Sequence, residues 1–508
     1  MKMKSLFKKQ GYMIIQALVF GGIGLVLIGG LVGFAQVNIK AARLFTLREK
    51  AFQIAEAGVE YYRWHLAHAP EDYQDGTGLP GPYAHDYKDK DGNVIGSFTL
   101  SITAPPVGST VVTVVSEGKV AEDPNVSRKI EAKLAIPSLA KYAFVANSAM
   151  RFGEGTEVFG PIHSNDGIHF DGLAHNIVTS AKADYDDSDH SGANEFAVHT
   201  HLNTPPSSGT NSSFRPGEAP PTTPVANRTD VFMAGRQFPV PAVNFTGFTN
   251  DLSLIRADTL RADGTCTPDV ANGKLCFAGS GALGYNLVLK TNDSFDLYRV
   301  NSLLSVPSSG CTNYLSQSGW GTWSIGTTGG AQTLLGNYTF PSNGLVFLED
   351  HVWVEGTINT ARLTIASGRF PESSSTNTSI SFNKDIRYTN YDGSDVIALI
   401  AQNNINTGMA SNSTLTIDAA LIAKNGRVGR YYYRPPGGGS NRCSPYHTRS
   451  TISLYGMIGT NLRYGFAYTD GTGYITRNIV YDANLLYGPP PSFPLTSDNY
   501  STISWREL

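Results

Sequence analysis

Histidines and carboxylates crowd one stretch of the chain. His163, Asp166, His169, Asp171 and His175 lie within 13 residues, Asp184, Asp186, Asp187, Asp189 and His190 follow, and then come His199 and His201. Imidazole nitrogens and carboxylate oxygens at this density are donors for a transition-metal ion. On a strand, His199 and His201 would face the same side. The six-residue spacing of His163, His169 and His175 fits successive turns of a β-coil or plain loops, and the favoured reading is polar loop residues, with no metal and no cofactor assigned. Tyr431-Tyr432-Tyr433, Trp320 and Trp323 are of the type that stacks on sugars, and equally of the type that fills a core. Asp86, Asp89, Asp91 and Asn93 suggest a calcium loop, but Tyr87 and the lack of a bidentate Glu break the spacing, so Asp91-Gly92-Asn93 is read as a hairpin turn. The chain has no Gly-x-Ser-x-Gly elbow, Walker loop or His-Glu-x-x-His. Gly437-Gly438-Gly439-Ser440 follows no strand and opens no helix, which makes it a loop and not a phosphate cradle. No catalytic residue is assigned, and the chain is expected not to be an enzyme.

Four cysteines permit three pairings. There is no Cys-x-x-Cys. In an exported chain the favoured pair is Cys266–Cys276, closing a short loop with Pro268, Asp269 and Gly273, and Cys311–Cys443 follows by elimination.

The N-terminus contains the strongest positional signal. Lys2, Lys4, Lys8 and Lys9 precede Gly11, and Ala17–Ala35 has no polar side chain. Nineteen helical residues span about 28 Å, close to the ~30 Å hydrocarbon core. The lysines set the N-terminus on the cytoplasmic side, and the run is too long for a cleaved secretory signal. Helical periodicity continues beyond it through Leu44, Leu47, Ala51, Ile54, Gly58, Tyr61 and His65, with no proline before Pro70. A single helix over 12–69 is expected, with 12–37 in the membrane and 38–69 amphipathic outside. Gly29-x-x-x-Gly33 is a small-residue packing motif of membrane helices.

Lys8-Lys9-Gln10-Gly11 followed by Tyr12-Met13-Ile14-Ile15-Gln16 resembles the class III leader of type IV pilins and pseudopilins. Ile54-Ala55-Glu56-Ala57-Gly58-Val59-Glu60-Tyr61 resembles the stretch that marks PilX-like minor pilins. Weaker likenesses lie at 160–167, 397–404, 417–426 and 477–485. The resemblance implies a leader 1–11 cut by a prepilin peptidase between Gly11 and Tyr12, N-methylation of the new amine, and an anchor helix that later packs with other pilin subunits. It also implies the cytoplasmic membrane first and an extracellular filament afterwards. Most pilins have Glu at the fifth mature position, where this chain has Gln16. An amide cannot neutralise a buried ammonium, and minor pseudopilins at filament tips also lack that Glu.

The remaining elements are β-type. Strands at 96–103, 110–118 and 127–136 read as a meander, giving a small sheet over 70–140. Beyond it, short apolar runs alternate with Gly, Asn and Asp. The body is divided into a β-rich start (141–182), a loop-rich insertion with cysteines (183–340, with a short helix near 250–262) and a C-terminal β-rich part (341–508). The expected class is α+β: a long helix, a small sheet and a large all-β body, with a β-solenoid favoured and a β-sandwich as the alternative. Composition agrees. Only 16% of the 508 residues are charged, 53 are Gly, and the net charge of −3 leaves no footprint for nucleic acid. The expected function is a minor pilus subunit at or near the tip, acting in assembly or in contact with a surface or glycan ligand. The alternative is a membrane-anchored glycan-binding or polysaccharide-acting protein that does not polymerise.

Overall fold

The structure is a computed structural model of the whole chain. It describes all residues except 1–7, 106–108, 205–212, 246–247 and 496–498, and gives only the backbone of 8–11 and 248–251. The long helix, small sheet and large β body are all present. The chain divides into two compact units.

The first unit comprises residues 1–104, 111–135 and 499–508. Helix α1 runs unbroken from Lys8 to His68, 61 residues, because no proline or capping residue interrupts it. It is followed by β1 (Tyr83–Lys88), β2 (Val94–Thr103), β3 (Val112–Val120) and β4 (Asp123–Ala135). These form an antiparallel meander, and the C-terminal strand Ser501–Glu507 adds to β4 as a fifth member. The last residues thus leave the body to which the sequence boundary at 341–508 assigned them. β3 alternates strictly, with Val112, Val114, Ser116, Gly118 and Val120 turned inward. That face covers α1 along Leu47, Ala51, Ile54, Ala55, Val59, Tyr62 and Leu66, all buried. The buried line therefore drifts from the expected stripe, passing through Tyr62 and Leu66 instead of Tyr61 and His65. Burying each Leu, Ile or Val among them contributes about 1.5–3 kcal/mol. Gly118 is required: a Cβ there would overlap the Ala51 carbonyl oxygen and the Ala55 amide. Asp91-Gly92-Asn93 forms the turn between β1 and β2, with Asp89 Oδ1 accepting from the Asp91 and Asn93 amides at 2.9 Å.

The second unit comprises residues 105–110 and 136–498. Its strands stack in parallel and in register. One column of buried side chains runs Leu275, Val346, Ile365, Leu399, Leu421, Ile458, Phe144, Ile162, Val178. A second runs Ile386, Ile417, Leu454, Ile479, Val158, Ala174. Both belong to a single core. Parallel ladders of this kind are the pairing a solenoid uses. A long antiparallel excursion is formed by Gly284–Lys290, Ser294–Val300 and Gln332–Thr339. The order of the first column is informative: residues 144–146 lie beside 458–460, so early strands adjoin late ones, and the chain between 180 and 275 passes from one end of that column to the other. The short helix spans Phe248–Thr259.

A third short ladder sets up the histidine-rich face. Met150–Phe152, Ile168–Phe170 and Val198–His199 pair in parallel. Met150, Ile168 and Val198 point into the core, so Arg151, His169 and His199 fall on the opposite face, side by side.

Candidate functional site

Two features can do something beyond holding the fold. The first is the N-terminal part of α1. From Tyr12 to Thr46 no residue is buried, and Tyr12, Leu25 and Val26 are about three-quarters exposed. The helix is long and apolar enough to cross a membrane. Gly11 and Tyr12 sit within the helix, and Gln16, Gly29 and Gly33 lie on its uncovered part; residues 1–7 of the expected leader fall outside the described residues. Apart from the adjoining helix backbone, no described atom lies within 4 Å of where a Cβ on Gly29 or Gly33 would be. Gly58 differs, since a Cβ there would meet Phe98 at 2.8 Å and would also overlap the Ser116 hydroxyl. The small residues of Ala55-Glu56-Ala57-Gly58 are those that let β2 and β3 approach the helix backbone.

The second feature is assembled from the histidine-rich stretch. The strand pair Asp184–Tyr185 and Glu195–Phe196 carries Asp187, Asp189, His190 and Glu195 over the outward face of the third ladder. His169, His199 and His201 meet them there. These groups are not loop residues in water: His169, Asp171, Asp187, Glu195, His199 and His201 are at most 3% exposed. His169 places Nδ1 2.7 Å from Asp187 Oδ2 and Nε2 2.7 Å from Asp171 Oδ2, so both ring nitrogens donate to carboxylates. Burial pushes the His169 pKa down, but these two hydrogen bonds outweigh it and the net shift is upward. Burial likewise pushes Asp187 up, and its His169 bond holds it well below the usual carboxylate range. Asp171 Oδ1 accepts the His201 amide at 2.8 Å. Asp189 is held by Arg151 and by both terminal nitrogens of Arg463. Around Glu195 Oε2 three imidazoles converge: His190 Nε2 at 2.8 Å, His199 Nε2 at 3.2 Å and His201 Nε2 at 3.2 Å.

The other residues of that stretch lie elsewhere. His163 hydrogen-bonds Thr179 and Asn165, and His175 stacks on Phe159. The six-residue spacing reflects positions on three different sides of one pass of the chain. Asp166 and Asp186 take no part. Glu195 was missed in sequence because it stands apart from the aspartates. The signal available was Glu195-x-x-x-His199-x-His201.

Cys266 is joined to Cys276 and Cys311 to Cys443, and no cysteine is free. Tyr431, Tyr433, Met409 and half-buried Trp320 and Trp323 pack around the second disulfide. Their polar ends are spent on backbone: Trp320 Nε1 donates to the Tyr432 carbonyl at 3.0 Å and Trp323 Nε1 to that of Gly319 at 2.9 Å. Tyr431 and Tyr433 are core, while Trp320 and Trp323 are only half-buried.

With this geometry in view, the chain can be compared with known proteins. No family model and no curated protein matches the chain. Among solved structures, the crystal structure of the competence-associated pilin ComZ from Thermus thermophilus aligns over 91% of this chain and 98% of that one, at 12% identity and a TM-score of 0.28. At that score the functional reading rests on this chain's own residues.

Proposed function

We propose that the chain is a minor structural subunit of a type IV pilus or related filament, anchored by α1 in the cytoplasmic membrane and then displayed outside the cell. The observation that carries this is the division of α1: one continuous helix, covered by a small sheet over its C-terminal third and bare before it, with a Lys-Lys-Gln-Gly/Tyr junction at the start of the bare part. A helix apolar on every side needs lipid or other helices around it. A prepilin peptidase is the partner that would cut at Gly11–Tyr12, and other pilin subunits are the partners that would cover the helix. The two disulfides suit an oxidising compartment. Gln16 favours the tip, where no neighbouring subunit's amine needs a carboxylate. The β body, without an assigned catalytic constellation, is read as a display or contact module and not as an enzyme.

The test is mass spectrometry of sheared filaments. A peptide beginning at N-methylated Tyr12 is expected, and Gly11→Ala should abolish it. Retention of residues 1–11 on a protein that stays in membranes would sink this reading in favour of a non-polymerising anchored protein.

A further inference from the structure

We propose that the buried histidine–carboxylate cluster of the body is a closed binding site for one divalent first-row transition ion, zinc foremost, ligated by His190, His199 and His201 with Glu195 and Asp187. The five ligand atoms lie within 4.8 Å of one another. Zinc bonds of 2.0–2.1 Å place neighbouring ligand atoms about 3–3.4 Å apart. Here the separations bracket that range: 2.8, 3.2 and 3.2 Å from Glu195 Oε2 to the three Nε2 atoms, and 3.7 and 3.5 Å from Asp187 Oδ2 to those of His190 and His199.

The decisive atom is His199 Nε2. The side chain is fully buried and this nitrogen has no hydrogen-bond partner. Its other nitrogen, Nδ1, lies 3.0 Å from the Phe196 carbonyl. A carbonyl only accepts, so Nδ1 carries a proton; with that tautomer Nε2 is the ring's lone-pair nitrogen, and it faces two carboxylate oxygens. Lone pair facing lone pair in a dry interior is unfavourable unless a cation stands between them. Glu195 Oε2 is one of those two oxygens, 3.2 Å from His199 Nε2, while His190 and His201 approach it at 2.8 and 3.2 Å. A metal ion satisfies all of these atoms together.

The surroundings fit a ligand-orienting shell. The Phe196 carbonyl fixes the His199 ring, and the Arg215 amide holds Glu195 Oε1 at 2.7 Å. His169 stays outside the ligand set, bridging Asp187 to Asp171, whose second oxygen takes the His201 amide. Nitrogen-rich ligation selects zinc-class ions over calcium or magnesium. With the ligands buried, the role is structural: all five lie within 187–201, so the ion would hold the 187–195 segment closed against the strand end that carries His199 and His201.

The experiment uses the full chain in detergent, stripped with a chelator, reloaded with zinc and freed of unbound ion. One zinc per chain is expected by elemental mass spectrometry, with a raised melting temperature and, on cobalt substitution, the visible absorption of a nitrogen–oxygen site. His199→Gln and Glu195→Gln should weaken binding by at least about 10–100-fold, while His163→Gln and His175→Gln retain it. Should His199→Gln fail to fold, His190→Gln, whose ring lies nearer the surface, gives the same reading. The proposal is overturned if the folded wild-type chain takes up no ion, which would make the cluster a network of protonated imidazoles. It is equally overturned if folded His199→Gln, Glu195→Gln or His190→Gln binds zinc as the wild type does.

Discussion

The two parts of α1 share one backbone conformation and differ in what lies against them. From Leu47 to Leu66 the buried residues step by three and four, and β2, β3 and β4 cover them. From Tyr12 to Thr46 apolar side chains point in every direction, and among the described residues none covers them. Glycine marks the contrast most clearly. Gly58 and its opposite number Gly118 are demanded by backbone and side-chain atoms of their own unit. Gly21, Gly22, Gly24, Gly29, Gly30 and Gly33 meet nothing within 4 Å of a would-be Cβ, although each costs ~1 kcal/mol against alanine in an aqueous helix. A residue type that disfavours a helix and does nothing for the folded chain has its reason outside that chain.

The largest expected effect breaks the covered part. Gly118→Val places branched carbons where the Ala51 carbonyl and the Ala55 amide already are. The obstacle is helix backbone, which cannot swing aside as a side-chain tip can. A loss at or above the upper end of overpacking, about 3 kcal/mol, is expected, seen in thermal denaturation of the chain in detergent. A melting temperature equal to wild type would mean that the sheet does not rest on the helix as described.

A smaller effect concerns the turn that ends the covered part. Asp72 Oδ1 accepts the Gln74 amide at 2.8 Å, and Oδ2 accepts the Gly76 amide at 2.6 Å and faces His65 Nε2 at 3.0 Å. The Gln74 amide foremost, then Gly76 and His65, hold the carboxyl below its ordinary 3.8. A carboxylate lowered on folding contributes stability that is fully present above its unfolded pKa and is lost as pH falls through the folded one. Asp72→Asn should therefore lower the melting temperature at pH 7, by an amount equivalent to about 1 kcal/mol for a lost charge-assisted hydrogen bond. The gap to wild type should close as pH falls through the lowered pKa, below 3.8. A gap independent of pH would show that geometry, not charge, is what Asp72 supplies.

Much of this contrast was legible in the residues. The bare part follows from nineteen apolar residues in a row, and the covered part from its period. The drift from Tyr61 to Tyr62 was not, because a straight helix advances by 100° per residue and the covering sheet selects which neighbour faces it. The meander could be read from alternation at Phe98, Leu100 and Ile102. Its fifth strand, Ser501–Glu507, could not, since nothing local tells a C-terminal strand which sheet edge to join. The histidine cluster was half legible. His199-x-His201 announced a shared face, but bringing His169 beside His199 takes a parallel register, and Glu195 is delivered by a strand pair that sequence spacing placed in a loop-rich insertion.

The smallest expected effect on the isolated chain sharpens the contrast most. Replacing Gly29 and Gly33 together by Leu adds bulk where no atom of the chain is near. Leucine favours a helix over glycine, so the melting temperature of the covered unit should stay within an amount equivalent to about 0.5 kcal/mol of wild type. Incorporation into filaments is where the change should appear, because small residues let helix backbones approach closely and leucines hold them apart. The two readouts must be taken together. Unchanged melting with reduced filament incorporation assigns the glycines to contacts between helices of different subunits. A drop in melting as large as that of Gly118→Val would mean that the bare part is covered by its own chain after all. Unchanged melting with unchanged incorporation would leave lipid as the only neighbour these glycines need, and the bare part of α1 as an anchor alone.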